Sequence, residues 1–230
     1  MLVPKAPDLA ETMTQHTELK KTGTTTVGLT AKDGVVIGTE HRATMGTLIA
    51  HTDTQKLFQI GNHIALTTAG LVGDAQVLAR YLSAEVELYE MKREHDIPVK
   101  AAATLMANIL NGRKFAPYYV QLIIGGWDQS GGSVWSLDSA GGAIPDKWTT
   151  TGSGSPYVYG VIEDHYKDGI TKDEALDIAI RGLNAAHRRD SASGNGMDLC
   201  IIDKTGYHAV EEKTILERHK KMGITPAFGY

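Results

Sequence analysis

The sequence has a single cysteine, no long apolar run and no excess of positive charge. Cys200 lies in the apolar stretch MDLCIID, so no disulfide can form within the chain; we expect a buried thiol and a reducing, cytoplasmic location. No stretch approaches the roughly 18 consecutive apolar residues typical of a membrane-spanning helix. The formal net charge is -4 and the basic runs are short, so neither nucleic acid nor a membrane is an expected partner.

Several motifs of hydrolytic enzymes are also absent. The nine histidines are scattered without an HExxH or His-x-His pattern, and one cysteine cannot build a thiolate metal site, so we expect no catalytic metal and no cofactor. A Ser-His-Asp esterase would carry a G-x-S-x-G elbow between a strand and a helix, and the chain has none.

The first 23 residues contrast with the rest of the chain. They contain acidic side chains and no apolar core of a secretory signal, so they resemble a polar leader. A strand-like pattern then begins abruptly at Thr24 in TTTVGLTA. Read alone, TGTTT is most typical of a strand start rich in β-branched residues.

The junction of Gly23 and Thr24 is nevertheless suited to self-cleavage. A threonine hydroxyl becomes an effective nucleophile when a base is within reach, and an N-terminal threonine carries its own α-amino group, which titrates near neutral pH. Gly23 has no side chain and can adopt the backbone conformation that presents its carbonyl to the Thr24 hydroxyl. We therefore predict a propeptide of residues 1–23, removed by autolysis, and a peptidase domain of residues 24–230.

The order of elements predicts the fold class. Strand patterns fill the stretch up to Gly70, two helices come next, strands return from YYVQLIIGGWD, and a second helix pair precedes a closing hairpin and a short helix. Val77, Tyr81, Ala84, Leu88 and Met91 recur at steps of four and three, which places them on one face of the first helix. Runs of each type, without strict alternation, favour an α+β fold, a four-layer αββα sandwich with two antiparallel sheets between helix layers.

The motifs together resemble one family. TTTVGLTAKDGVVIGTEHRAT, DTQKLFQIGNHIALTTAGLVGDAQVL, SLDSAGG, TGSGSPY and RRDSASGNGMDLCIID cover nearly everything from Thr24 to about Glu212. They are similar to the β subunits of the archaeal-type 20S proteasome, which are N-terminal nucleophile hydrolases. The resemblance implies a threonine endopeptidase that degrades unfolded proteins to peptides inside a closed chamber.

The resemblance also implies the residues of the catalytic site. Thr24 would be the nucleophile, beside a charged pair of Glu40 in GTEHRAT and Lys56 in DTQKLF. Contacts around the nucleophile's amino group and hydroxyl would come from Asp190 and Ser193 in RRDSASG and from Ser153 in TGSGS. The backbone N–H of Gly70, in TTAGLVGD, would stabilise the oxyanion. Read alone, each of these residues is typical of a surface charge, a turn or a helix end.

The same resemblance implies a substrate preference and a set of partners. The implied pocket is uncharged at Thr68 and Val72, which is compatible with apolar or neutral substrate side chains, and its matching positions are Ala43, Thr54, Phe58, Thr68, Val72 and Gln76. Asp138, in SLDSAGG, either faces a neighbouring subunit's pocket or is an exposed hairpin acid. The implied partners are other β subunits in heptameric rings, α subunits that cap those rings, and an unfoldase ATPase.

Two alternatives stay open. The bacterial two-ring peptidase is a related threonine hydrolase, but its chains are shorter than this one. The other alternative is a catalytically silent ring subunit that serves assembly only; the joint presence of Thr24, Glu40, Lys56, Asp190 and Ser193 opposes it. The 23-residue leader is also longer than in the shorter archaeal members, so its role as a chaperone or a mask stays open.

Overall fold

The computed structural model describes residues 23–227. The predicted propeptide therefore lies outside the described residues except for Gly23. The strands are β1 Thr25–Ala31, β2 Gly34–Glu40, β3 Ala43–Met45, β4 Leu48–His51, β5 Leu57–Gln59, β6 Ile64–Gly70, β7 Val120–Asp128, β8 Gly131–Leu137, β9 Ala143–Asp146, β10 Trp148–Gly152, β11 Met197–Asp203 and β12 Gly206–Ala209. The helices are α1 Val72–Arg93, α2 Val99–Gly112, α3 Ser155–His165, α4 Lys172–Arg189 and α5 Glu212–Lys221.

Two five-stranded sheets form the centre of the described chain. One has the order β10-β1-β2-β11-β12 and the other β5-β6-β7-β8-β9, while β3 and β4 form a separate hairpin. All pairings are antiparallel; in the first sheet β1 lies between β10 and β2, with Thr25 opposite Gly152 and Thr26 opposite Thr39. This pairing places the start of β1 beside the ends of two other strands.

Three apolar cores define the layers. One core joins β6 and β7 to α1 and α2, and a second joins β1, β2 and β11 to α3 and α4. The third lies between the sheets, where Ile37, Ile123 and Cys200 meet. Alternate strand residues face opposite sides of a sheet, so the period-two pattern of the strands supplies both the inner and the outer cores. The predicted αββα sandwich is confirmed.

Local signals in the sequence correspond to real caps and turns. Thr171 and Glu174 form the predicted capping box at the start of α4, in which the Thr171 hydroxyl accepts the Glu174 N–H. Pro98 precedes α2 as predicted, and Lys204 and Thr205 make the turn between β11 and β12. Cys200 is fully buried between the sheets, and burial raises the pKa of its thiol to about 12.

The helical face of α1 that the sequence pattern marks is not the face that packs against the sheet. Tyr81, Leu88 and Met91 are exposed, with Met91 at 80%. The face that packs against β6 and β7 is offset around the helix and consists of Ala75, Leu78, Ala79, Leu82 and Val86. Both sets recur at helical spacing, because apolar residues cover most of the circumference of α1, so spacing alone could not choose between them.

Asp138 stabilises a turn after β8. Its Oδ1 accepts the backbone N–H groups of Ala140 at 2.8 Å and Gly142 at 2.9 Å. These bonds support the hairpin-acid alternative for Asp138. No helix among residues 23–227 has the length and apolar character needed to cross a bilayer.

Candidate active site

Thr24 lies directly before β1 and is only 3% exposed. Its side-chain Oγ1 donates a hydrogen bond to the carbonyl oxygen of Gly23 at 2.6 Å and accepts one from Lys56 Nζ at 3.1 Å. The hydroxyl therefore contacts both a basic side chain and the carbonyl group of the peptide bond that precedes it. The hydroxyl thus lies beside the peptide bond at which the sequence predicts self-cleavage.

Gly23 fits this position because it has no side chain. A Cβ at residue 23 would lie 2.0 Å from the Cβ of Ala192 and 2.7 Å from Ser153 Oγ. The Gly23 N–H also donates to Thr44 Oγ1 at 3.1 Å. Gly23 is thus held between β3 and the loop after α4.

Glu40 and Lys56 form a buried ion pair next to Thr24. Glu40 ends β2 and is 0% exposed, while Lys56 precedes β5 and is 4% exposed. Lys56 Nζ donates to Glu40 Oε1 and to the carbonyl oxygen of Arg42. Glu40 Oε2 in turn accepts the N–H groups of Arg42 at 2.6 Å and Gly194 at 3.0 Å. The contacts with Glu40 and with the Arg42 carbonyl oxygen hold the Lys56 ammonium in place beside the Thr24 hydroxyl.

Burial perturbs both members of the pair. It raises the pKa of the Glu40 carboxyl, and the attraction of Lys56 opposes this change. It lowers the pKa of the Lys56 ammonium, which Glu40 opposes in turn. A lysine whose pKa is lowered releases its proton more readily, so Lys56 is suited to exchange a proton with the Thr24 hydroxyl.

Ser153, Asp190 and Ser193 form a hydrogen-bonded chain on the other side of Thr24. Thr24 N donates to Ser153 Oγ at 3.2 Å, and the hydroxyls of Ser153 and Ser193 both donate to Asp190 Oδ2 at 2.7 Å. Ser193 Oγ also lies 2.6 Å from Thr25 Oγ1. Ser153 comes directly after β10, and Asp190 is the C-cap residue of α4. These hydrogen bonds therefore join elements that are far apart in sequence.

Of Ser153, Asp190 and Ser193, only Ser153 forms a hydrogen bond with Thr24 among the described residues. Asp190 acts through Ser153, and Ser193 bonds to Thr25, with no hydrogen bond to Thr24 in the described part of the chain. A peptide nitrogen carries one N–H, which Ser153 accepts here, whereas a free α-ammonium has three. Contacts from Asp190 or Ser193 to the amino group therefore need the Gly23–Thr24 bond to be broken first.

Gly70 ends β6 and faces the same cavity as Thr24. Its φ of 122° is a conformation that side chains disfavour, and a Cβ there would lie 2.0 Å from the carbonyl oxygen of Tyr119. The close approach of β7 fixes the backbone of Gly70 against the cavity. The role of its N–H as an oxyanion donor stays a prediction.

A cavity of about 310 Å³ opens beside Thr24. Three predicted pocket residues line it: Ala43, Thr68 and Val72. Residues that the sequence patterns do not mark complete the lining: Thr44, Met45, Ala50, His51, Gln55, Leu71, Gly73 and Ala75. No carboxylate side chain is among the described residues that line the cavity, although Lys56, the ion-pair partner of Glu40, lies in the lining.

The structure places the other three predicted pocket residues outside the lining. Phe58 and Gln76 line a separate groove along α1, because Phe58 alternates with the inward Leu57 and Gln76 comes after the inward Ala75. The Thr54 N–H bonds to the carbonyl oxygen of His41 at 2.9 Å, which keeps Thr54 behind the cavity wall. The β3–β4 hairpin supplies this wall of the cavity instead. Because alternate residues of a strand share a face, the predicted pocket residue Ala43 implies that Met45 also faces the cavity.

The four layers, together with a threonine at the start of an inner strand beside a buried lysine, define the class of N-terminal nucleophile hydrolases. Comparison with known proteins narrows this class. A family model described as a proteasome subunit matches residues 20–202. The proteasome subunit beta of Picrophilus torridus is 50% identical over 208 residues, which are 90% of this chain and 99% of that protein.

Two further relatives agree. The proteasome subunit beta of Methanothermobacter thermautotrophicus is 51% identical over 197 residues, 85% of this chain and 94% of the relative. That of Thermoplasma acidophilum is 49% identical over 205 residues, 89% of this chain and 97% of the relative. The chain belongs to the proteasome subunit family, and it resembles the β subunits over most of its length. Proteasome β subunits are proteases, so peptide-bond hydrolysis is the activity of this chain.

Proposed function

We propose that this chain is a threonine-type endopeptidase in which Thr24 is the nucleophile. The observation that carries the proposal is the position of Thr24 Oγ1, 3.1 Å from Lys56 Nζ and 2.6 Å from the Gly23 carbonyl oxygen. A nucleophile, a basic side chain and a carbonyl group thus meet in one buried place. Chance surface placement of Lys56 would not produce this contact.

The first reaction is release of the leader, residues 1–23. Lys56 first passes a proton to its Glu40 partner and then, as a neutral amine, accepts the proton of the Thr24 hydroxyl as that hydroxyl attacks the Gly23 carbonyl carbon. The bond from that carbon to Thr24 N breaks as Lys56 gives this proton to the nitrogen, and the proton on Glu40 returns to Lys56. The Gly23 acyl group is then an ester on Thr24 Oγ1, which water hydrolyses. The products are a leader that ends in a carboxyl group and a free α-amino group on Thr24.

Turnover of substrates uses the same hydroxyl with a second base. The free α-amino group of Thr24 accepts the hydroxyl proton, and the hydroxyl attacks a substrate carbonyl carbon. The Gly70 N–H stabilises the oxyanion, a contribution worth roughly 3 to 4 kcal/mol in other hydrolases. The leaving amine takes up the proton, and water activated by the α-amino group hydrolyses the acyl ester. Lys56 stays charged during turnover and lowers the proton affinity of that amino group.

The cavity supports cleavage after apolar or neutral side chains. Ala43, Met45, Val72 and Ala75 supply apolar walls, and a substrate carboxylate would have to be desolvated there beside few compensating groups. His51 and Lys56 are the ionisable side chains in the described lining. Of these, Lys56 is already engaged by Glu40 and Thr24.

We also propose the assembly that the family uses. This chain forms heptameric rings with other β subunits, α subunits cap the rings, and an unfoldase ATPase feeds unfolded protein into the enclosed chamber in the cytoplasm. The exposed apolar face of α1, with Tyr81, Leu88 and Met91, supports burial against partner subunits.

The test is the intact mass of the chain after co-expression with an α subunit. Loss of residues 1–23 in the assembled particle, together with hydrolysis of a reporter peptide, is the expected result. Thr24→Ala should keep its leader and hydrolyse nothing while still assembling. Assembled wild-type rings with intact leaders would support the silent-subunit alternative and overturn the proposal.

A further inference from the structure

Three side chains that can bind metal ions meet outside the active site. His63 lies in the turn before β6, Glu90 in the last turn of α1, and Asp96 in the connection between α1 and α2. One ligand atom from each lies within 4.8 Å of the others. Glu90 is about 27 Å along the helix axis from Val72, which lines the cavity at the other end of α1.

His63 is the buried member of this cluster, 5% exposed. Its Nε2 lies 2.7 Å from the carbonyl oxygen of Ile97, and a carbonyl can only accept, so Nε2 carries the hydrogen. The neutral ring then has a free electron pair on Nδ1. Metal-binding histidines are commonly oriented in this way, with one ring nitrogen donating to a carbonyl and the other binding the ion.

Two buried ligand atoms face each other without satisfying one another. His63 Nδ1 and Glu90 Oε1 are buried, and neither has a hydrogen-bond partner among residues 23–227. They lie 4.0 Å apart, which is too far for a hydrogen bond. Buried polar atoms without partners are rare because each costs free energy, so this pair points to a missing ligand between them.

We propose that His63, Glu90 and Asp96 bind one divalent transition-metal ion of the zinc type. Zinc binds imidazole nitrogen and carboxylate oxygen at about 2.0–2.2 Å in a tetrahedron, which places ligand atoms about 3.3 Å apart. To bind zinc, the three ligand atoms would have to move closer together by roughly an ångström. Asp96 lies in the connection between α1 and α2 and is not part of either helix. Calcium and magnesium favour sites built from oxygen alone, so the imidazole selects against them.

The ion is structural. It joins the β5–β6 turn, the end of α1 and the start of α2, and its fourth position is open to water. No step at Thr24 involves it, so this inference does not depend on the proposed peptidase mechanism. A proton is the competing occupant, since a charged His63 could pair with the Glu90 carboxylate without any metal.

The test is metal binding by the full chain, purified without an affinity tag and treated with a chelator. Titration with Co²⁺ should give one ion per chain with the visible absorption of a tetrahedral site, and Zn²⁺ should displace it. Zn²⁺ should also raise the melting temperature. Absence of stoichiometric binding, or a melting temperature that responds to pH and not to Zn²⁺, would overturn the proposal in favour of the proton.

Two variants locate the site. Glu90→Gln removes a ligand charge at a partly exposed position and should weaken Zn²⁺ binding at least about 10-fold. His63→Asn should do the same, and Glu90→Gln decides the outcome if the His63 variant fails to fold. The matched control is Glu87→Gln, an exposed position on the same helix, which should bind as the wild type does. Unchanged binding in Glu90→Gln would place the ion at other histidines and refute the site.

Discussion

Replacing Lys56 with methionine separates the stability of the buried pair from its chemistry. Methionine keeps most of the side-chain volume but leaves the Glu40 carboxylate, 0% exposed, without its counter-ion. Removing one partner of a buried ion pair typically costs about 3–5 kcal/mol of unfolding free energy. The contacts of Glu40 decide where in that interval this variant falls.

The Glu40 carboxylate keeps three backbone donors after the substitution. Oε2 accepts the N–H groups of Arg42 at 2.6 Å and Gly194 at 3.0 Å, and Oε1 accepts that of Thr25 at 3.3 Å. These bonds to a charged acceptor compensate part of the loss. We therefore expect the lower end, about 3 kcal/mol. For a chain of this size, that is a fall in melting temperature of roughly 6–12 °C.

The loss of unfolding free energy in Lys56→Met should depend on pH. Burial raises the pKa of Glu40 above its ordinary value of 4.5, and without Lys56 nothing of opposite charge offsets this rise. The folded variant then holds the proton more tightly than the unfolded chain does. The penalty is complete above the raised pKa of Glu40 and disappears as the pH falls below 4.5. The gap in melting temperature between wild type and variant should therefore narrow towards acid pH.

The assay compares four purified chains, the wild type, the single variant, a double variant and a control, by thermal unfolding and by leader removal after co-expression with an α subunit. Lys56→Met combined with Glu40→Gln should recover most of the lost melting temperature, because no buried charge remains. Both variants should process the leader at least about 100-fold more slowly, because general-base catalysis is lost. Lys100→Met, at an exposed position of α2, is the control. Normal leader removal by the double variant, or an unchanged melting temperature in the single variant, would refute this reasoning.

The same geometry supports three further predictions. Gly23→Ala should slow leader removal at least about 10-fold on the intact-mass assay, since its Cβ would lie 2.0 Å from Ala192 Cβ, whereas Gly160→Ala, with open space around it, should process normally. Asp190→Asn removes the carboxylate that accepts the Ser153 hydroxyl and should lower kcat for a reporter peptide with little change in KM; an unchanged kcat would remove it from the mechanism. Thr171→Ala deletes the α4 cap and should lower the free energy of unfolding by about 1 kcal/mol in urea, with activity kept.

The fold could be predicted from local patterns because most elements carry their own signal. The Val- and Ile-rich runs of β2 and β7 and the capping box of α4 predict the elements, and the order of runs predicts the sandwich. The buried face of α1 could not be predicted in this way. Its apolar residues surround much of the helix, and which face is buried depends on where β6 and β7 place it.

The site is predictable only through the resemblance. Glu40, Gly70 and Ser153 stand at the ends or just beyond the ends of different strands, and no local motif connects them. Their proximity depends on the strand order of the first sheet, which brings Glu40 and Ser153 to either side of the start of β1, and on the packing of the second sheet, which carries Gly70, against the first. Met45 escapes prediction for the same reason, because the β3–β4 hairpin folds back over the cavity in a way that neither strand pattern predicts. The cluster around His63 likewise has no spacing that marks a metal motif.

The buried pair also bears on whether the chain is a silent ring subunit. Replacing a buried ion pair with uncharged side chains of similar volume is often neutral or stabilising. If the same holds for Glu40 and Lys56, the sandwich does not need them for its stability, and a subunit that served assembly alone would gain nothing from them. What the pair does provide is a fixed amine 3.1 Å from Thr24 Oγ1, which only a reacting hydroxyl requires. If the double variant at these positions is as stable as the wild type and assembles normally, yet keeps its leader, then chemistry is the reason for the charges.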